Sequence, residues 1–202
     1  MTTVIDPAVA QDAAYPWPAP SNHTLMEHSP EDPLPFAPGY FDVVTSRRFT
    51  ATVPASAWLS RLQGLERALR AGGWLEIQTL DAGPGRAGPL LTSWLEHRLL
   101  PGLAARGLVA RPSEMVLDYL EIAGFDDIKA CKIALPTVVR AEDADAVRVM
   151  VQAGRHYYAE LYAAFLGGPR AAQGWWGNKS VRAECEREGA LLGLMISFGQ
   201  KP

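Results

Sequence analysis

Apolar and polar residues alternate along this chain in two rhythms, one every second residue and one every three to four. Between residues 56 and 70, Trp58, Leu62, Leu65 and Leu69 recur at three- and four-residue steps, so one face of a helix is apolar. The run Phe41-Asp42-Val43-Val44-Thr45-Ser46 is short and β-branched, which suits a buried strand. Gly72-Gly73 is read as the stop of the preceding helix, and residues 74–80 as the next strand. The same rhythms predict a helix over 90–106 with a kink at Pro101-Gly102, and a helix over 113–123 capped by Ser113 and ended by Gly124. A strand over 128–135, a long helix over 141–166, a short helix over 180–188 and a last strand over 191–198 complete the pattern. Strands alternating with helices predict a parallel or mixed sheet covered on both faces.

The first forty residues behave differently. Eight of the sixteen prolines stand at positions 7, 16, 18, 20, 30, 33, 35 and 38. Proline removes a backbone donor and fixes φ, so this stretch reads as loop, with short extended pieces at 3–6 and 23–27. The whole chain, 202 residues, is read as one domain.

Composition narrows the function. Net charge is -3 at pH 7, with no basic block or stripe, which turns the reading away from nucleic acid. The longest apolar runs, such as residues 190–198, are about half of what a bilayer span needs, and no secretory signal opens the chain. Cys131 and Cys185 have no metal-ligand spacing and read as two buried free thiols. A soluble, cytoplasmic protein is expected.

The order of segments resembles the class I S-adenosylmethionine-dependent methyltransferases. Leu34-Pro35-Phe36 followed by Phe41-Asp42-Val43-Val44 looks like that family's entry to its fourth strand. Ala68-Leu69-Arg70-Ala71-Gly72-Gly73-Trp74-Leu75-Glu76-Ile77 is similar to its helix-to-fifth-strand junction, with alanine where proline is usual. Ala123-Gly124-Phe125 before Ile128 resembles the turn into the sixth strand, and Lys201-Pro202 the end of the seventh. Trp74 to Gln78, the Trp175-Trp176 pair and Glu184-Cys185-Glu186 look most like fungal methyltransferases of secondary metabolism.

The resemblance implies a Rossmann-like sheet with helices on both faces and a domain without its first strand. It further implies methyl transfer from S-adenosylmethionine to a small organic molecule. Val4-Ile5-Asp6 resembles the end of the family's second strand, so Asp6 is expected to accept hydrogen bonds from the cofactor's ribose; a turn-forming Asp-Pro is the alternative. The family's glycine-rich cofactor loop should lie upstream of Val4, and the sequence has none there. An aspartate is often found four or five residues before Leu-Pro-Phe, where this chain has Pro30 and Ser29, with Glu31 and Asp32 shifted. Without the first strand, the strand at 41–46 is expected to carry an unpaired edge, which a homodimer or a partner chain would cover. A second functional reading follows: a truncated, non-catalytic protein that binds a partner or a metabolite.

Ser46, Arg47 and Arg48 follow the fourth strand, where the family places substrate-proximal groups; an arginine there could hold a carboxylate or simply face solvent. Gly83-Pro84-Gly85-Arg86-Ala87-Gly88 matches Gly-x-Gly-x-x-Gly and invites a dinucleotide reading. Pro84 lacks an amide and no ribose-binding acid follows at the usual distance, so a flexible loop beside the ligand crevice is the preferred reading. Trp175-Trp176 with His156-Tyr157-Tyr158 reads either as an aromatic lid or as packing. The four histidines form no catalytic or metal-ligating constellation.

Overall fold

The computed structural model describes residues 2–5, 23–26, 28, 32–141, 143–166 and 174–202. The chain divides into two compact units, Met1–Pro35 and Phe36–Pro202. In the first, strands β1 (Thr2–Ile5) and β2 (His23–Met26) pair in parallel, Val4 opposite Leu25.

The second unit is built on a four-stranded mixed sheet ordered β3-β4-β6-β5. Strand β3 (Phe41–Ser46) lies parallel to β4 (Leu69–Leu80). Strand β6 (Leu191–Gln200) runs antiparallel between β4 and β5 (Asp126–Pro136). A helical crossover explains the parallel pair: helices α1 (Phe49–Thr52) and α2 (Trp58–Ala68) carry the chain from β3 back to a parallel β4. Strand β3 is an edge strand, and Val43 on it is 56% exposed.

Alternation in β4 decides which face is buried. Leu75 and Ile77 point into one core with Trp58 and Leu62 of α2 and with Val116 and Leu120 of α5 (Val116–Ile122). Leu80 joins a second core with Leu192 and with residues of α3 (Pro89–Arg98), α4 (Leu100–Ala104), α6 (Asp145–Leu166) and α7 (Lys179–Glu188). Helix α6 closes on the sheet at Gly154, where an added Cβ would stand 3.4 Å from Leu135 and 3.9 Å from Leu192. Helices therefore lie on both faces, as expected.

Several expectations need correction. Gly72-Gly73 does not stop a helix; α2 ends at Ala68, and the glycines form an irregularity inside a longer β4. Gly72 takes φ +73°, and Phe41 pairs with Leu69 while Val43 already pairs with Trp74, so the extra residues bulge out. The helix expected over 90–106 is two helices, separated at Leu99, two residues before Pro101. Ser113 caps no helix: it sits in a 3-10 turn, Pro112–Glu114, and α5 begins at Val116. Helix α6 starts at Asp145 rather than at 141. Cys185 is buried as expected, but Cys131, on the edge strand β5, is exposed.

Candidate functional site

In open α/β sheets ligands bind beyond the carboxyl ends of the parallel strands. Here those ends are Ser46 of β3 and Leu80 of β4, and α6 crosses both. Three of its tyrosines donate to the strand ends: Tyr157 to the carbonyl of Arg47, Tyr158 to that of Ala82 at 2.6 Å and Tyr162 to that of Leu80 at 2.7 Å. Tyr158 and Tyr162 are buried, so each hydroxyl satisfies a carbonyl that water cannot reach. Burial raises the pKa of all three phenols, which keeps them protonated donors; at Tyr157 the nearby Arg48 and Arg47 charges pull the other way.

Charge gathers at the end of β3. Arg48 Nη2 lies 3.8 Å from Glu160 Oε2, and the other oxygen of that carboxylate lies 3.3 Å from His156 Nε2. His156, Tyr157 and Glu160 share one face of α6, being three and four residues apart. Arg47 is exposed, and among the described residues no carboxylate lies within 4.0 Å of it. Ser46 is half-buried at the same strand end. The structure thus brings Ser46, Arg47 and Arg48 together with three groups of α6. Asp6 lies outside the described residues.

The Gly83–Gly88 segment is a loop, pinned at one point where Gly85 and Leu191 exchange both backbone hydrogen bonds, at 2.7 and 3.0 Å. It is not open to a phosphate. The amides of Leu90 and Leu91, which open α3 and would bind an anion there, donate to the two oxygens of Glu184 at 3.0 and 2.8 Å. Glu184 is 2% exposed, and a Cβ on Gly88 would sit 2.3 Å from its Cδ, so only glycine fits. Asp81 is also engaged, accepting from the Ser113 amide at 3.1 Å and hydroxyl at 2.7 Å. The dinucleotide reading fails on these contacts.

Packing also explains the tryptophans. Trp175 is fully buried, edge-on to Tyr158 and to Trp176. Arg155 lies over the Trp176 ring and donates twice to the carbonyl of Thr137, at 3.0 and 2.6 Å. Among the described residues no cluster of His, Cys, Asp and Glu could hold a metal, and no helix is long and apolar enough to cross a membrane. Sequence reasoning missed Glu160 and Tyr162, and used Glu184 only as part of a resemblance. The signal for the first two was present in α6, where His156 and Glu160, and Tyr158 and Tyr162, stand four residues apart.

No family model and no curated protein matches the sequence. Among solved structures the chain is similar to phosphoethanolamine N-methyltransferase 2 of Haemonchus contortus in complex with S-adenosyl-L-methionine, with TM-score 0.52 and 17% identity over 89% of this chain. It is also similar to an S-adenosylmethionine-dependent methyltransferase of Methanosarcina mazei, with TM-score 0.51 and 14% identity over 98% of this chain and 81% of that one. The chain spans only 37% of the Haemonchus enzyme's length. At these identities the likeness speaks for architecture, and the architecture of this chain is the class I methyltransferase fold.

Proposed function

We propose that this protein is an S-adenosylmethionine-dependent methyltransferase acting on a small organic molecule, of the kind fungi use in secondary metabolism. The observation that carries the reading is the carboxyl end of the β3–β4 pair, in a fold shared with methyltransferases, where Ser46, Arg47, Arg48 and the α6 tyrosines stand. The narrower placement is supported by the Trp74 to Gln78 stretch and by the Trp-Trp and Glu-Cys-Glu pattern. A second copy or a partner chain is the natural cover for the outer edge of β3.

The described residues fit the acceptor side of such a reaction better than the cofactor side. Glu184 takes the α3 amides and Ser113 takes Asp81, so neither the glycine segment nor that aspartate is open to S-adenosylmethionine. The group supplies an already activated methyl on a sulfonium when bound. What this chain's residues do is orient the acceptor: Tyr157 fixes the backbone of Arg47, and α6 closes one side of the crevice through Tyr158 and Tyr162. Asp6 is the ribose ligand in this reading.

Calorimetric titration of the folded protein with S-adenosylhomocysteine tests the proposal. One-to-one binding at micromolar concentration is expected, and Asp6→Ala should weaken it about tenfold. A folded protein that binds none would overturn the enzyme reading in favour of a partner-binding one.

A further inference from the structure

We infer that the carboxyl end of β3 is an anion site, where the guanidinium groups of Arg47 and Arg48 hold the carboxylate or phosphate of a small molecule. The inference rests on the methyltransferase reading for the use of the site, and it names the chemical class of the acceptor.

Four observations converge. Arg47 is exposed and, among the described residues, has no carboxylate within 4.0 Å. Arg48 has one counter-charge, Glu160, at 3.8 Å, longer than a hydrogen bond, and Glu160 shares itself with His156 at 3.3 Å. Among the described residues, two guanidinium groups and one carboxylate, Glu160, thus meet at this strand end, in a chain whose net charge is -3. The Tyr157 hydroxyl also holds the carbonyl of Arg47, so the backbone beneath that guanidinium is placed before any ligand arrives. This is the end of a parallel strand, where the fold places ligands.

Guanidinium groups bind carboxylate and phosphate through two parallel N–H donors, which a neutral hydroxyl cannot match. Glu160 acts as an internal competitor, occupying Arg48 until an external anion replaces it. Removing its charge should therefore strengthen binding, an effect that a purely structural ion pair would not produce.

The test titrates phenyl phosphate, benzoate and phenol into the full chain, following the arginine side-chain N–H resonances. Phenyl phosphate or benzoate should bind at least about tenfold more tightly than phenol, as charge-assisted bonds require. The stronger of the two anions identifies the group that the site prefers. Arg47→Gln should weaken anion binding about tenfold, and Glu160→Gln should strengthen it a few-fold. Should Arg48→Gln unfold the protein, Arg47→Gln alone decides, because that side chain is exposed. Equal binding of phenol and the anions, or wild-type anion binding by Arg47→Gln, would overturn the site. S-adenosylhomocysteine is titrated in the same samples: anion binding without it leaves the site standing and removes the methyltransferase reading, and the converse removes the site alone.

Discussion

Replacing Glu184 by alanine would strip the amides of Leu90 and Leu91 of both acceptors in a place that water barely reaches. The expected loss is about 3 kcal/mol, since charged hydrogen bonds contribute the most and orphaned donors cost the most. Gly88→Ala alone should cost about 2 kcal/mol by driving a methyl into the same carboxylate. In the double variant the methyl finds the space vacated, so the two losses should fall short of additivity by about 1 kcal/mol or more; denaturant titration of the four proteins measures this. The role of Glu184 was not legible in the sequence, although the Glu184-Cys185-Glu186 pattern forms part of the resemblance. Gly-x-Gly-x-x-Gly describes a backbone shape, and what fills that shape comes from a residue 93 or 94 positions away. Arg47 and Arg48 were legible, because their place follows from the end of a strand whose pattern is local.

Among the elements, α6 does most to shape the site. Tyr158→Phe and Tyr162→Phe remove single hydroxyls and leave the carbonyls of Ala82 and Leu80 without donors. Each should cost about 1 to 2 kcal/mol, and together they should speed amide exchange around Leu80 to Ala82, as hydrogen–deuterium exchange would show. The existence of α6, of α2, α5 and α7, and of the strands β3, β4, β5 and β6 could be read from the sequence pattern, with α3 and α4 read as one helix. Their limits were harder to read. Gly72-Gly73 looked like a helix stop because glycine serves equally as a cap and as a strand irregularity, and only the pairing of Phe41 with Leu69 settles which. Ser113 looked like a cap because its type suits one; Asp81, 32 residues earlier, claims it instead.

At the scale of the molecule, the second core concentrates groups that stay neutral when folded. Burial pushes the Cys185 thiol up to about 11 and raises Tyr157, Tyr158 and Tyr162 as well. Each folded value lies above the unfolded one, so the stabilisation is complete below the unfolded values, about 8.5 for the thiol and about 10 for the phenols. It is lost as pH rises through the folded values. The melting temperature should hold to about pH 8 and fall steadily from about pH 9 to 11, with the fall starting later in Cys185→Ala, as circular dichroism would follow. The layered α/β class was legible from alternating periods. The strand order of the larger unit was not read from the sequence, since no local pattern says that the last strand enters between two earlier ones. That placement shapes how the chain is made. Strands β4 and β5 never touch in the sheet and are joined only through β6. A nascent chain on the ribosome therefore holds β4 and β5 as open edges until Leu191–Gln200 emerges, and sheet closure must follow translation of that segment rather than accompany it.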